Sequence, residues 1–107
     1  MMKVGIDNVL IARMKGLSPN FARRYLSPKE FAVYTKLKDI NKDSYLASRF
    51  AAKEAYVKAS GDKNKEYSHI EVLDDKDGKP HLYVDGMEKG SISLTHDTIA
   101  TAIIILD

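Results

Sequence analysis

Residues 49–58 carry the ionisable side chains best placed to act together. Glu54 and Lys58 are four residues apart, which puts them on one side of a helix, and Arg49 and Lys53 form a second, purely basic pair with the same spacing. A carboxylate among cations suits the binding of a phosphate ester. The alternative is an ordinary surface Glu–Lys pair worth about 0.3–0.5 kcal/mol, and the helix alone favours that interpretation.

A second carboxylate, Asp7, follows Gly5-Ile6 near the start of the chain. Residues 3–7 are predicted to form a short strand that Asp7 ends, where its only evident structural task is to cap the next helix. One Asp and one Glu without a nearby Cys or His suit a hard cation, Mg²⁺ or Ca²⁺, and Mg²⁺ commonly combines one or two carboxylates with water and phosphate oxygens. The combination indicates a metal–diphosphate site, although spacing does not establish that Asp7 and Glu54 meet.

Residues 91–97, with the sequence SISLTHD, supply a third group of polar side chains. On a strand, alternation places the hydroxyls of Ser91, Ser93 and Thr95 on one face, where they could donate hydrogen bonds to phosphate oxygens. His96, at the strand end, could bind a ligand or titrate as an acid or base, and the alternative is an ordinary surface or half-buried histidine. The other two histidines, His69 and His81, are assigned no role.

Two serine–proline pairs predict short helices in the first third of the chain. Ser18-Pro19 and Ser27-Pro28 each combine an N-cap serine with proline at the first helical position. Glu30 completes a capping box in the second pair. These signals predict helices over residues 19–26 and 28–37.

The longest helix is predicted to carry residues 49–58. It begins at Asp43 or Ser44 and ends at residue 60, because Gly61 can adopt the left-handed backbone that ends a helix. At 100° per residue, its core-facing side is predicted to hold Leu46, Phe50 and Val57.

The second half of the chain is predicted to form strands after a polar loop over residues 61–67. Glycine at position 78 indicates a hairpin turn. Residues 99–106 are apolar at both odd- and even-numbered positions, which predicts a central strand covered on both faces. The predicted strands are residues 68–73, 81–84, 92–96 and 99–106. A strand, a block of helices and then an antiparallel sheet indicate an α+β fold in one domain, residues 1–107.

Length and composition narrow the class of protein. A chain of 107 residues, 44% hydrophobic and 30% charged, fits one globular domain. No apolar run approaches the ~20 residues of a membrane span, and the start lacks the apolar core of a signal peptide. Without cysteine there is no disulfide or thiolate chemistry, and Gly-x-Ser-x-Gly, Walker and Gly-x-Gly-x-x-Gly motifs are absent. We expect a cytoplasmic protein with no membrane or nucleic-acid partner.

Positive charge is concentrated at the start of the chain. Residues 1–38 contain eight Lys or Arg and two acidic residues, a net charge of +6, whereas residues 39–107 have a net charge of −4. A basic surface would steer an acidic partner by charge complementarity. A solvated helical face is the alternative.

Four segments carry a family resemblance in the order Gly5-Ile6-Asp7, residues 49–55 (RFAAKEA) with Lys58 and Gly61, Gly78-Lys79-Pro80, and Ser93-Leu94-Thr95-His96. Together they closely resemble the holo-acyl-carrier-protein synthases, the small bacterial 4′-phosphopantetheinyl transferases, over nearly the whole chain. The resemblance implies that family's fold and Mg²⁺-dependent transfer of 4′-phosphopantetheine from coenzyme A to a serine of apo-acyl carrier protein. The other product would be adenosine 3′,5′-bisphosphate, and the reaction would support fatty-acid and lipid synthesis.

The resemblance also implies site roles. Asp7 and Glu54 would hold Mg²⁺ at the coenzyme A diphosphate. Lys58 would stabilise charge on the phosphates or assist proton transfer, and either Glu54 or a metal-bound water would accept the serine proton. His96 joins Glu54 and Lys58 as a catalytic candidate. The residues implied in coenzyme A binding are Arg49, Lys53, Lys58, Gly61, Pro80, Ser93, Thr95 and His96.

A protein partner and an assembly follow from the same resemblance. The carrier would dock on Arg13, Phe21, Arg24 and Phe50, and because acyl carrier proteins are strongly acidic, the basic residues 1–38 would steer it. Family members form trimers with active sites between neighbouring chains, which implies a homotrimer.

Two positions depart from the family pattern. Leu10 and Asn20 stand where an acidic and a basic residue are common. A non-catalytic docking module of the same fold would explain Leu10. It would not explain the joint presence of the polar residues of the predicted site, which are Asp7, Glu54, Lys58 and His96. An RNA-binding domain is a weaker alternative, because the basic part lacks an aromatic stacking motif on a strand.

Overall fold

The computed structural model describes residues 1–17 and 19–107, and its architecture is α+β, as the sequence predicts. In chain order the elements are β1 (Lys3–Leu10), a 3₁₀ helix (Ile11–Met14), α1 (Pro19–Tyr25), α2 (Pro28–Tyr34), α3 (Asp39–Ser60), a second 3₁₀ helix (Tyr67–His69), β2 (Ile70–Asp74), β3 (Pro80–Val84), β4 (Met87–Glu88), β5 (Ser91–His96) and β6 (Ile99–Leu106). Within the described ranges, no helix is both long enough and apolar enough to cross a membrane.

The first sheet has β6 at its centre, paired antiparallel with β1 and β5. The central position predicted for residues 99–106 is confirmed. Its inner face carries the fully buried Ala100, Ala102 and Ile104. The opposite face of β6 is only partly covered within one chain, with Thr101 and Ile103 half-buried, so the predicted cover on both faces is incomplete.

The second sheet has the order β2-β3-β4. Its β2–β3 turn is closed by Asp75, whose Oδ1 accepts hydrogen bonds from Asp77 N at 2.8 Å and Lys79 N at 3.0 Å. Gly78 has a φ of 85° in this turn, as its prediction required. The predicted strand 68–73 begins later, at Ile70, because residues 67–69 form the second 3₁₀ helix.

Helix α3 packs closely on β1. A Cβ added at Gly5 would overlap the carbonyl oxygen of Ala55 and lie 2.8 Å from Ala59 N. The core-facing side of α3 is therefore a stripe of small side chains (Ala47, Ala51, Ala52, Ala55 and Ala59), all buried. Leu46 is buried as predicted, but Phe50 and Val57 are only half-buried, because this alanine stripe allows closer approach of the strand backbone.

The helix boundaries show which local signals are effective. The capping box is confirmed: Glu30 N donates to Ser27 Oγ at 3.1 Å and Ser27 N donates to Glu30 Oε1 at 2.9 Å. Gly61 ends α3 with a φ of 78°, as predicted. Helix α2 ends early, at Tyr34, because the amides of Lys36 and Leu37 bond to carbonyls three residues back instead of four. The N-cap role predicted for Ser18 lies outside the described residues.

The start of α3 differs from the prediction. The helix begins at Asp39 instead of Asp43 or Ser44. Asn41 N donates to Lys38 O at 3.1 Å, so the first turn forms without a side-chain cap. Ser44 lies inside the helix and is buried, so its hydroxyl does not cap the first turn.

Candidate functional site

Asp7 lies within β1, because the strand continues to Leu10 instead of ending at residue 7 as predicted. Alternation puts Asp7 on the inner face with Gly5 and Val9, towards α3. Its Oδ1 accepts a hydrogen bond from Lys58 Nζ at 2.9 Å, and its side chain is 20% exposed. The interpretation of Asp7 as a helix cap is wrong, since the following 3₁₀ helix has no side-chain cap.

Glu54 and Lys58 lie one turn apart on α3. Lys58 Nζ bonds to Asp7 and, at 3.1 Å, to the carbonyl oxygen of Ile6. The hydrogen bond and charge of Asp7 raise the pKa of Lys58, and the charge of Glu54 adds a smaller effect. The simple surface Glu–Lys pair is therefore not what the helix forms, because Lys58 reaches across to β1.

Tyr67, the first residue of the second 3₁₀ helix, completes this group. Burial raises the pKa of its hydroxyl well above the ordinary value, and a hydrogen bond to Glu54 and the negative charges of Glu54 and Asp7 raise it further. Both carboxylates thus act on both Lys58 and Tyr67. Asp7, 47 positions before Glu54 in the sequence, is bonded to Lys58, which lies one helical turn beyond Glu54. We call Asp7, Glu54, Lys58 and Tyr67 the carboxylate group.

A cleft of about 520 Å³ lies on another side of α3, between that helix, the β2–β3 turn and β5. Four residues predicted to bind coenzyme A line it: Arg49, Pro80, Ser93 and His96. Lys79, which the sequence analysis named only within the motif Gly78-Lys79-Pro80, also lines it and adds a positive charge. The cleft therefore combines a basic rim with hydroxyl and imidazole donors, which suits a phosphorylated ligand.

Arg49 forms part of the cleft wall and is held rigidly. Its guanidinium donates to Val72 O at 3.3 Å and to Asp74 Oδ1 at 3.0 Å, and it lies 4.1 Å from the centroid of the Tyr45 ring. The residue is only 6% exposed. Because a guanidinium has five N–H donors, this arrangement leaves some of them for a ligand in the cleft.

The carboxylate group and the cleft face different directions. Arg49 and Glu54 are five residues apart on α3, which is about 140° around the axis at 100° per residue. Within one chain the residues predicted for a single site are therefore divided into two halves. One half holds Asp7, Glu54 and Lys58, and the other holds the cleft residues.

Lys53 differs from its predicted role in ligand binding. Its ammonium is completely buried, donates to Glu30 Oε1 at 2.7 Å and to Tyr67 O at 3.0 Å, and also bonds to the carbonyl oxygen of Ile70. Burial lowers the pKa of Lys53, and Glu30 opposes that shift. Since three acceptors use its three donors, Lys53 joins α2, α3 and β2 and has none left for coenzyme A.

The remaining predicted residues lie apart from these two halves. Gly61 ends α3 after Lys58, and the exposed Thr95 pairs with Thr101 in the first sheet. Arg13 and Arg24 are exposed on the first 3₁₀ helix and α1. Phe21 and Phe50 are half-buried, with ring centroids 5.9 Å apart.

Sequence reasoning gave no site role to Tyr67, to Lys79 or to Glu30, the buried partner of Lys53. A weak signal existed for Tyr67, a single aromatic at the end of an otherwise polar loop before a strand. Glu30 was recognised only as a capping residue. Its second use, accepting Val72 N at 2.8 Å and Lys53 Nζ, depends on contacts across 42 and 23 positions that no local pattern reveals.

The chain matches a family model described as the 4′-phosphopantetheinyl transferase superfamily over residues 3–104. It is 36% identical over 107 residues to the holo-[acyl-carrier-protein] synthase of Listeria monocytogenes serotype 4b (strain CLIP80459), covering 92% of this chain and 91% of the relative. It is 41% identical over 102 residues to that of Lactobacillus johnsonii, covering 88% and 85%.

Solved structures of proteins with the same name are also similar to this chain. The fold is similar to the crystal structure of a holo-(acyl-carrier-protein) synthase from Bacillus anthracis in complex with CoA (3′,5′-ADP), with a TM-score of 0.90 and 34% identity over 99% of this chain and 97% of that one. The synthase of Helicobacter pylori in complex with coenzyme A has a TM-score of 0.81 and 28% identity, covering 97% and 99%.

Proposed function

Because the chain belongs to the 4′-phosphopantetheinyl transferase superfamily, as a holo-[acyl-carrier-protein] synthase, we propose that it transfers 4′-phosphopantetheine from coenzyme A to a serine of apo-acyl carrier protein. Adenosine 3′,5′-bisphosphate is the second product. The proposed setting is fatty-acid and lipid synthesis in the cytoplasm. The observation that carries the proposal is the ion pair of Asp7 with Lys58, one helical turn from Glu54.

The carboxylate group has the chemistry that a hard divalent cation requires. Asp7 and Glu54 offer only oxygen ligands, which hard divalent cations prefer. Asp7 already pairs with one cation, the Lys58 ammonium, at 2.9 Å. Asp7 and Glu54 are the proposed Mg²⁺ ligands. When bound, Mg²⁺ would neutralise charge on the diphosphate that is cleaved. Two carboxylates leave most of its coordination shell for water and phosphate oxygens.

Lys58 is the proposed electrostatic partner of the diphosphate. Its side chain is 56% exposed, so the ammonium has room to move from Asp7 to a phosphate oxygen. Glu54 is within the same group and is the proposed acceptor of the carrier serine proton, in competition with water. The nucleophile comes from the partner, which agrees with the absence of an activated Ser or Cys motif in this chain.

The cleft is the proposed site of the nucleotide part of coenzyme A. Arg49, Lys79 and His96 supply donors to phosphate oxygens, and Pro80 supplies apolar surface beside them. The volume of about 520 Å³ falls within the ~300–1,000 Å³ typical of small-molecule sites.

Helix α1 and the first 3₁₀ helix are the proposed docking surface for the carrier. Arg13, Arg23 and Arg24 are exposed there. The two acidic residues of 1–38 are already paired, Asp7 with Lys58 and Glu30 with Lys53. The net positive charge of this part therefore faces solvent largely uncompensated, which suits an acidic protein partner.

A homotrimer is the proposed assembly, with each site formed between two chains. The outer face of the first sheet exposes Val4 (61%), Ile6 (57%), Leu10 (43%) and Ile99 (45%), an apolar surface that further copies of the chain would cover. Leu10 pairs with Ile99 on this face, which is opposite to the face of β1 that carries Asp7. The departure from the family pattern at Leu10 would therefore act on the interface between chains and not directly on metal binding. A ring of chains would also bring the cleft of one chain to the carboxylate group of the next.

Mass spectrometry of a carrier protein tests the function. Apo-acyl carrier protein incubated with coenzyme A, Mg²⁺ and this chain should gain the mass of one phosphopantetheine group. Omitting Mg²⁺ or substituting Glu54→Gln should leave the carrier mass unchanged while the enzyme stays folded. Unchanged carrier mass with the parent chain would rule out the transferase, and parent-like transfer by Glu54→Gln would rule out the metal assignment.

A further inference from the structure

Lys79 and Pro80 reach the cleft from the β2–β3 turn, and the side chain of Asp75 closes that turn. Asp75 Oδ1 accepts hydrogen bonds from the backbone amides of Asp77 at 2.8 Å and of Lys79 itself at 3.0 Å. The backbone amide of Asp75 also donates to the carbonyl oxygen of Lys79 at 2.9 Å. Because both backbone groups of Lys79 are bonded to Asp75, the position of Asp75 determines where Lys79 enters the cleft wall.

His81, two residues beyond Lys79, binds the second oxygen of the Asp75 carboxylate. Its Nε2 lies 3.0 Å from Asp75 Oδ2, and its Nδ1 lies 2.7 Å from Glu88 Oε2 on β4. A neutral imidazole has one N–H, whereas the protonated ring has two. Both contacts are therefore hydrogen bonds at the same time only when His81 is a cation. When the ring is neutral, one carboxylate faces a lone pair, and the longer contact, to Asp75, is the one that is released.

The groups around His81 favour its charged form. The two bonded carboxylates raise the pKa of the ring above its ordinary value. Glu71 of β2 lies on the same face of the sheet and is a further negative group, since it is two residues from Leu73, the strand partner of His81. Strand β5, which also packs on β3, carries the titratable His96, which lines the cleft. His81 therefore keeps its charge to a higher pH than an ordinary histidine does.

We propose that His81 is a positioning residue for the cleft: its protonated ring holds Asp75, and Asp75 holds the turn so that Lys79 meets the phosphates of the nucleotide. This inference rests on the proposed site of coenzyme A. The cleft formed by the described residues is lined by Lys79 and not by His81, so His81 acts on the ligand without touching it. Affinity for coenzyme A should fall as pH rises through the titration of His81, because the neutral ring releases Asp75.

Calorimetric titration with coenzyme A over a series from about pH 6 to about pH 9 tests the proposal with two variants. His81→Gln removes the charge and should weaken binding up to about fivefold at the acidic end of the series. His81→Arg supplies a permanent cation with donors for both carboxylates, so its affinity should persist at the pH where the parent weakens.

His69→Gln is the matched control. His69 is an exposed histidine of the second 3₁₀ helix, 3.6 Å from Asp85, and its replacement should leave the parent's pH dependence unchanged. His96 and the ligand phosphates titrate in the parent and in all three variants, so the difference between their profiles isolates the contribution of His81.

A double-mutant cycle shows whether His81 acts through Lys79. Lys79→Ala should weaken coenzyme A binding by itself, and His81→Gln added to it should have little further effect. Independent effects of the two substitutions, or a His81→Arg variant that weakens with pH as the parent does, would overturn the proposal. A parent protein that binds no coenzyme A at any pH would instead refute the proposed function. Binding by the parent with the same affinity and pH profile in His81→Gln would reject only the role of His81.

Discussion

Lys58 Nζ lies 2.9 Å from Asp7 Oδ1, joining the last turns of α3 to the middle of β1. The ammonium thus stands beside a carboxylate proposed to bind a divalent cation. Because like charges repel, a metal ion bound at Asp7 would compete with Lys58 in the free protein. Lys58 is exposed and can leave, whereas Asp7 is fixed on its strand.

Replacing Lys58 should therefore have opposite effects on metal binding and on transfer. Lys58→Gln should bind Mg²⁺ up to about thirtyfold more tightly in the absence of substrates, because a unit positive charge about 4 Å from a divalent ion repels it by that factor even at the dielectric of water. Transfer should nevertheless slow, because the phosphates lose a cation.

Calorimetry and carrier mass spectrometry check these two effects. Lys65→Gln is the matched control, since Lys65 pairs at 2.5 Å with Asp85 instead of with Asp7. Weaker Mg²⁺ binding by Lys58→Gln would contradict competition for Asp7.

The buried Glu30–Lys53 pair should act on stability and not on coenzyme A binding. Lys53→Met would leave the Glu30 carboxylate buried without its cation, which costs about 3–5 kcal/mol of the free energy of unfolding. Urea denaturation measures this loss. The KM for coenzyme A, determined on the folded protein, should stay close to that of the parent.

The same exposed pair provides a control for this second prediction. Lys65→Met should leave the free energy of unfolding nearly unchanged, because exposed ion pairs contribute little. A Lys53→Met variant of parent stability with a raised KM for coenzyme A would show that Lys53 contacts the ligand after all.

His81 should make stability depend on pH. Its ring bonds to Glu88 Oε2 at 2.7 Å and to Asp75 Oδ2 at 3.0 Å, and these two carboxylates raise the pKa of His81 above its ordinary value of 6.5. A raised folded-state pKa gives stability that is fully present below the unfolded-state pKa and is lost as pH rises through the folded-state value. The melting temperature of the parent protein should therefore fall as pH rises above about 6.5.

Thermal melts over a pH series check this behaviour. His81→Gln should flatten the profile in that window, and so should the double variant Asp75→Asn/Glu88→Gln, because each removes one side of the interaction. A parent melting temperature that rises through the same window, with His81→Gln unchanged in slope, would contradict the assigned contacts.

Local chemistry made part of this structure predictable. The capping box at Ser27, the glycine end of α3 and the central strand β6 each depend on residues within a few positions, and all three are confirmed. Asp7 was misplaced at a strand end because β1 continues through Leu10 only by pairing with β6, almost a whole chain away.

The role of Lys53 was unpredictable for a related reason. A lysine beside a glutamate on a helix usually faces solvent, and only the distant Glu30 makes its burial tolerable. The angle between Arg49 and Glu54, by contrast, follows from helix geometry alone. Its consequence, a site divided into halves, becomes visible only when the cleft beside Arg49 is known.

The central claim is that the carboxylate group and the cleft form one transfer site only across two chains. Complementation tests it with two variants, Glu54→Gln for the first half and Lys79→Ala/His96→Ala for the second. Each should be inactive or nearly so in carrier mass spectrometry. Unfolded together in equal amounts and refolded, they should regain about a quarter of parent activity, since in a ring of randomly mixed chains a quarter of the interfaces pair two intact halves. Activity no higher than that of the separate variants would contradict a shared site.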